Sequence, residues 1–291
     1  MSGTGQGPDR APGPERTWGV RGLGVRYAGR TALDDVTFAV AARSVTAVVG
    51  GDGAGKTSLL RALAGVVRPS AGTVSRPDNR RIGYVSAGGG VWADLTAGEN
   101  LEFAGRAYGL GAGRLRSRTA GLLEQTGLAP ARDRLAGRLS GGMRQKLAVA
   151  MALVHEPELL ILDEPTTGVD PVSRVELWRL LAGAAAGGGA VALATTYLDE
   201  AERAATVLVL DQGRALLAGT PEEVLAAVPG RVVESATRPG GVPAWRRGAR
   251  WRAWSPDGSP LPGATEVAVD LEDAVVVAQL AREARRAGRA A

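Results

Sequence analysis

Short apolar runs set off by longer amphipathic stretches give the chain its rhythm from Thr17 onward. TAVVG (46–50) and LLILD (159–163) are too short for helices and lack polar alternation, so they read as strands buried on both faces of a parallel sheet. Residues 90–130 are helical in period, and two further helical stretches follow Gly142 and Pro171. Such alternation predicts an α/β fold. GTPEEVLAAV (219–228) has the signature of a helix start, with Thr220 as N-cap, Pro221 at the first position and Glu223 completing a capping box. Residues 180–198 carry no charge and approach the length of a bilayer span. They are rich in Gly and Ala, however, and broken by Gly187–Gly189, which predicts a helix end, a turn and a buried strand.

The pattern changes after Pro229. Trp245, Trp251 and Trp254 stand among arginines, SPDGSP (255–260) reads as a turn, and a last helix is expected around 271–288. At the other end MSGTGQGPDRAPGPER has no apolar core, so neither a signal peptide nor an anchor is expected there. Its Gly and Pro content predicts a disordered tail. The expected organisation is a tail over 1–16, one large domain over 17–230 and a small appendage over 231–291.

Composition adds little to this picture. A chain of 291 residues can bury a sizeable core. It has no cysteine, which excludes disulfides and thiolate metal sites. The formal charge of +5 is a modest excess that selects no partner. Lysine is the informative residue: only Lys56 and Lys146 occur, all other basic side chains but His155 being arginine. Where arginine serves nearly everywhere, a retained lysine marks a position with its own requirement.

Lys56 lies in GGDGAGKTS (50–58), which follows a predicted strand and opens a predicted helix, the context of a phosphate-binding loop. Gly50, Gly51, Asp52, Gly53, Ala54 and Gly55 supply backbone N–H groups, and the helix N-terminus adds its positive end. Lys56 would reach the β- and γ-phosphates of a nucleotide, and Thr57, followed by Ser58, would offer a hydroxyl to Mg²⁺. LLILDEP (159–165) delivers two carboxylates at the C-terminal end of a strand, where α/β sheets place their ligands. Asp163 would hold the Mg²⁺ shell and Glu164 would act as general base toward water. On its own, the same pair is also an ordinary acidic strand exit. LSGGMRQKL (139–147) puts Ser140, Gly141, Gly142 and Met143 at a second helix start fit for an anion, more than one triphosphate needs from one side.

The glycine-rich loop, LSGGM and LDEPTTGVDP, in this order and spacing, resemble the ATP-binding subunits of ABC transporters over about residues 17–230. The resemblance implies a P-loop NTPase with a RecA-like core, an antiparallel β subdomain and a helical subdomain. It also implies ATP and Mg²⁺ as ligands, ATP hydrolysis, and a head-to-tail dimer in which Ser140–Met143 meet the γ-phosphate held by the opposite subunit. By the same resemblance Tyr27 would stack on adenine and Asp170 would contact the partner's site; the plainer readings are a strand-face tyrosine and a turn aspartate before Pro171. DLTAGENLEFAGRAYG (94–109) is similar to the helical subdomain of ABC-2-type exporters, and DLEDAVV (270–276) to a short element that closes many such subunits; either is equally an amphipathic helix. Membrane permease subunits are the implied partners, with the chain peripheral at the cytoplasmic face of the cell membrane.

Two positions depart from the family pattern. The strand after the acidic pair usually ends in Thr-His, and here it ends in Thr195-Thr196; where the family has IGYVPQ this chain has IGYVSA, leaving Ala87 in place of a glutamine. Threonine is shorter than histidine and takes up no proton near neutral pH. Nucleotide binding is expected to survive and hydrolysis at this chain's own site to be slow, which favours a heterodimer with a second ATP-binding subunit. His155, the only histidine, is expected to be a surface residue at a helix end. A soluble ATPase acting on nucleic acid or ribosomes, through the Trp–Arg stretch at 245–254, and a non-catalytic ATP-binding module are the rival readings; no nucleic acid is expected, because the arginines there read as solvated on a strand pair.

Overall fold

Residues 16–290 are described in the computed structural model of the chain, so the predicted tail lies outside the described residues but for Arg16. The first half contains a hairpin of β1 (Thr17–Tyr27) and β2 (Arg30–Ala41), then β3 (Val45–Val49), α1 (Lys56–Leu63), β4 (Ala71–Ser75) and β5 (Ile82–Val85). Three helices follow, α2 (Ala97–Ala107), α3 (Ala112–Gln125) and α4 (Gly141–Leu153). Beyond them come β6 (Leu159–Asp163), α5 (Pro171–Ala186), β7 (Ala190–Thr195), α6 (Leu198–Ala201), β8 (Thr206–Asp211), β9 (Arg214–Gly219) and α7 (Pro221–Ala226). The last segment holds β10 (Arg231–Ser235), β11 (Ala244–Arg247), β12 (Arg250–Ser255), β13 (Thr265–Glu266) and α8 (Leu271–Ala290).

The central sheet has the order β5-β6-β7-β3-β8-β9, parallel except for the antiparallel edge strand β9. Strands β3, β6 and β7 are buried throughout, as their largely apolar runs require. Alternate side chains serve two cores. Val48, Ile161, Ala192 and Leu208 pack with α1 and the antiparallel sheet β2-β1-β4, while Val49, Leu162, Leu193 and Val209 pack with α2, α4 and α5 on the other face. Burial of each such large side chain contributes roughly 1.5–3 kcal/mol.

The helical region starts later than its periodicity predicts. Asn100, fully buried, donates to the carbonyls of Trp92 and Leu95 and accepts from the Trp92 N–H, so the backbone of 92–95 is bonded to a side chain instead of to a helix. Helix α2 begins only at Ala97, under a capping box formed by Thr96 and Glu99. The box expected at Thr220 and Glu223 is present at α7, and the helix–turn–strand expected over 180–198 is the end of α5, the turn at Gly187–Gly189 and β7. No helix of the described residues is long and apolar enough to cross a membrane.

A third sheet, β11-β12-β10-β13, packs on α8 through Val232, Trp254, Val277 and Ala281. Its arginines are not all solvated as expected: Arg252 and Arg247 reach the fully buried carboxylate of Asp273 at 2.5 and 3.5 Å, and Arg247 also pairs with Asp270. Having been buried with no other cation, that carboxylate would carry a large desolvation cost. His155 also departs from expectation. Its ring stacks on Tyr108 at 3.5 Å between centroids, its Nε2 lies 3.1 Å from the Ile82 carbonyl, and burial lowers its pKa from 6.5 to about 4.

Candidate nucleotide-binding site

The loop after β3 enters α1 through Gly55, whose φ of 109° and close approach to Leu33 and Ala32 exclude a side chain. No side chain caps α1 and no acidic residue stands in its first turn, so its free N–H groups and the positive end of its dipole face outward uncompensated. Lys56 is 5% exposed, and its ammonium donates to the carbonyls of Gly50 (2.8 Å) and Gly51 (3.1 Å). A third N–H remains, directed among groups that include the Glu164 carboxylate 3.7 Å away. Asp52, Gly53, Ala54, Gly55, Lys56, Thr57 and Ser58 line one cavity of ≈ 280 Å³ together with Ala32 and Glu164.

Asp163 is tied to this site through Thr57. Its Oδ1 accepts from the Thr57 hydroxyl at 3.1 Å, and its Oδ2 is buried with no hydrogen-bond donor among the described residues. Burial raises its pKa, the Thr57 hydrogen bond opposing and the charge of Glu164 adding to the effect. A buried carboxylate oxygen without a donor, beside a hydroxyl, suits a hard divalent cation that takes oxygen ligands, and Mg²⁺ fits this pair. Glu164 adopts a left-handed backbone, φ 52°, immediately after the strand. That conformation is unfavourable for a side-chain-bearing residue. It is held by the bond from the Glu164 N–H to the Ala194 carbonyl (2.9 Å), while Thr167 donates to the carboxylate at 3.2 Å.

Sequence reasoning missed Glu200. It is 1% exposed and accepts from Thr195 (2.6 Å) and Thr166 (3.0 Å), joining the end of β7 to the loop that follows Glu164. The signal was faint, since an acidic residue in YLDEAE reads as helix surface. Thr196 itself is exposed and lines a different hollow with Tyr197, Asp199, Arg247 and Asp270; Ala87 is exposed in the turn after β5, and neither lines the cavity around Lys56.

The remaining predicted residues gather elsewhere. Ser140 caps α4 by accepting from the Met143 N–H at 3.2 Å. Gly142 is buried so closely against Ser173 and Asp170 that a Cβ there would lie 3.0 Å from the Ser173 hydroxyl and 3.3 Å from the Asp170 carboxylate. Asp170 caps α5 by accepting from the N–H groups of Ser173 (3.0 Å) and Val172 (3.1 Å), with the Ser173 N–H the foremost cause of its lowered pKa. Ser140, Gly141 and Asp170 are exposed and form a second cluster that shares no lining residue with the first. Tyr27, 40% exposed at the tip of the β1–β2 hairpin, lines neither. A larger cavity of ≈ 630 Å³ between α3 and α5, bordered by Arg118 and Arg179, contains none of the motif residues.

This combination has known counterparts. Residues 33–167 match the protein family described as ABC transporter. The chain is 40% identical over 225 residues to the probable multidrug ABC transporter ATP-binding protein YbhF of Escherichia coli (strain K12), covering 73% of this chain and 39% of that protein, so it spans well under half of YbhF's length. It is 38% identical over 233 residues to the daunorubicin resistance ATP-binding protein DrrA3 of Streptomyces coeruleorubidus, covering 76% of this chain and 74% of that protein. A solved structure of an ATP-binding subunit of an ABC transporter matches with a TM-score of 0.68 at 29% identity, over 72% of this chain and 92% of that one. On its identity to these ATP-binding proteins and the fold it shares with the solved ATP-binding subunit, the chain belongs to the ABC transporter family, among its ATP-binding subunits.

Proposed function

We propose that this chain is the ATP-hydrolysing subunit of an exporter whose membrane path is supplied by separate permease subunits. The observation that carries this reading is the Thr57–Asp163 hydrogen bond, which draws together two motifs 106 positions apart around a buried carboxylate oxygen that lacks a donor. In this reading the N–H groups of Gly51–Gly55 and the start of α1 hold the phosphates, Lys56 neutralises the β- and γ-phosphates, and Thr57 and Asp163 hold Mg²⁺. The ion, when bound, offsets negative charge on the phosphates. Glu164 orients water and takes its proton; Tyr27 offers its exposed ring to adenine. Export is the part taken from relatives, one described as a probable multidrug ABC transporter ATP-binding protein and another as a daunorubicin resistance ATP-binding protein.

Ser140–Met143 and Asp170 serve the site of a second ATP subunit. The exposure of Ser140, Gly141 and Asp170 supports this assignment, as do the neighbouring Val172 and Val175, apolar and 70% and 39% exposed. A permease would dock beside α2, where Trp92 (46% exposed) and Phe103 (49% exposed) form an edge-to-face pair with centroids 4.5 Å apart. The chain thus sits at the inner face of the cell membrane without spanning it. Engagement of Arg247 and Arg252 by Asp273 leaves less free cationic surface for nucleic acid and weighs against that partner.

With Ala87 and Thr196 in place of longer polar side chains, this chain's own site binds ATP and turns it over slowly, and the productive assembly is a heterodimer whose other subunit supplies the fast site. Steady-state ATPase measured on the chain alone and on its complex with a second ATP subunit and permeases tests the reading. The complex is expected to be about 100-fold faster, the scale of one or two lost polar contacts to the reacting groups. Equal turnover by the lone chain would overturn the division of labour, and failure of either preparation to bind ATP would overturn the whole.

A further inference from the structure

The C-terminal helix is linked to the glycine-rich loop through the turn between β8 and β9. Arg282 on α8 donates from Nη1 to both the backbone carbonyl and the carboxylate of Asp211, each at 2.6 Å, with the two side chains 13% and 21% exposed. One turn further on, Arg286 donates to the Gln212 side chain at 2.7 Å. Asp211 ends β8, and Gln212 and Gly213 make the two-residue turn into β9 with φ values of 46° and 76°. Positive φ at both central residues is the requirement of the tight hairpin turn that matches strand twist. On its far side the turn is fastened again: the Gly213 N–H donates to the Ala54 carbonyl at 2.9 Å, and the Gly213 carbonyl accepts from the Asp34 N–H at 2.8 Å.

Ala54 belongs to the loop assigned to the phosphates, and the peptide linking it to Gly55 transmits the fastening. In a planar trans peptide the carbonyl and the following N–H point in opposite directions. Holding the Ala54 carbonyl against Gly213 therefore turns the Gly55 N–H the other way, and Gly55 lines the cavity. The direction of one donor in the cavity depends on the β8–β9 turn, and the turn is held by an arginine 71 residues later in the chain.

We propose that α8 is a strut for the phosphate-binding loop, with Arg282 a positioning residue that sets nucleotide affinity through Asp211 and Gly213 without touching nucleotide. The inference rests on the reading of residues 50–58 as the phosphate site. It makes the C-terminal segment a place from which ATP affinity can be adjusted, a role that the core motifs leave unassigned.

Equilibrium titration of the full chain with Mg-ATP tests it, using Arg282→Ala, Arg282→Lys, Asp211→Ala, the double alanine variant and Lys56→Ala. Arg282→Ala is expected to weaken ATP binding about fivefold, a shift of the size seen when charge-assisted hydrogen bonds are lost. Asp211→Ala should do the same, the pair together no more than either alone, and Arg282→Lys should recover part of the loss. Arg250→Ala, which removes a cation from β12 in the separate C-terminal sheet, should leave affinity unchanged. In the assembled complex Arg282→Ala should raise KM for ATP with kcat preserved, a split that general destabilisation does not produce. Wild-type affinity in Arg282→Ala, or equal losses in Arg282→Ala and Arg250→Ala, would overturn the strut while leaving the phosphate site standing. Retained binding in Lys56→Ala would instead remove the phosphate site, and this inference with it.

Discussion

Helices α1 and α4 both begin in glycine-rich sequence, and they treat their unpaired N–H groups in opposite ways. At α1 the N-cap is Gly55 in a left-handed conformation, with no side-chain acceptor. The donors stay available and a buried lysine and buried carboxylate stand beside them. At α4 the Ser140 hydroxyl accepts from Met143, satisfying a donor internally, and the helix start lies exposed beside Asp170. On the proposed function, the site for a triphosphate and a cation keeps part of its hydrogen-bonding capacity buried and unused, the Asp163 Oδ2 above all. On the same proposal, a surface that would complete a neighbour's site can be capped on its own.

The contrast is broken most severely by Lys56→Ala, which removes the only ammonium at the α1 site. ATP affinity should fall about 100-fold or more, as expected for losing charge-assisted contacts to phosphate, and calorimetric titration reads it directly. Ser140→Arg probes the other helix. ATP binding to this chain should not change, while turnover of the assembled complex should drop about 100-fold if, as proposed, a partner's fast site then lacks its facing surface; a matched loss of binding would erase the distinction between the two helices.

Restoring the departed side chains sharpens the comparison from the opposite direction. Thr196→His together with Ala87→Gln should raise single-turnover hydrolysis at this chain's own site about tenfold, and by more than the product of the single changes, since both groups would position one water. Rates that stay flat in the double variant would mean that these positions are not the ones limiting the site.

A smaller effect separates the helical region from the nucleotide half. The His155 pKa is lowered from 6.5 to about 4, so between those values the unfolded chain binds a proton that the folded chain refuses. Stability contributed by neutral His155 is complete above pH 6.5 and declines as pH falls toward about 4. His155→Phe keeps an aromatic ring against Tyr108 but cannot titrate. Thermal unfolding followed across that window should show a shallower pH dependence in the variant, by a few degrees at its acid end, about what 1 kcal/mol does to Tm.

What the chain displays in its sequence is what neighbouring residues decide among themselves. The strands at 45–49 and 159–163, the cap at Thr220 and the glycine-rich loop are each set by local pattern, and motif order brings Thr57 and Asp163 to one place on paper before the sheet does so in space. Contacts between distant, unremarkable residues left no such trace. Asn100 delays a helix by binding the backbone ahead of it; Asp273 draws in Arg247 and Arg252; Glu200 joins Thr195 to Thr166 from a segment that reads as solvent-facing. In each case a polar group is buried because tertiary structure supplies its partner, and hydropathy patterns register the polarity alone.

Both lysines of this arginine-rich chain are withdrawn from solvent, Lys56 at 5% exposure and Lys146 at 8% with its ammonium 2.8 Å from Glu176. Guanidinium groups stay protonated and resist acylation, whereas a lysine amine reacts once it is deprotonated and reachable. The α-amino group aside, the folded protein therefore offers amine-directed reagents almost nothing to modify. Acylation at Lys56 would report access to the loop, and on the proposed function ATP would suppress it, so that occupancy could be read by mass spectrometry.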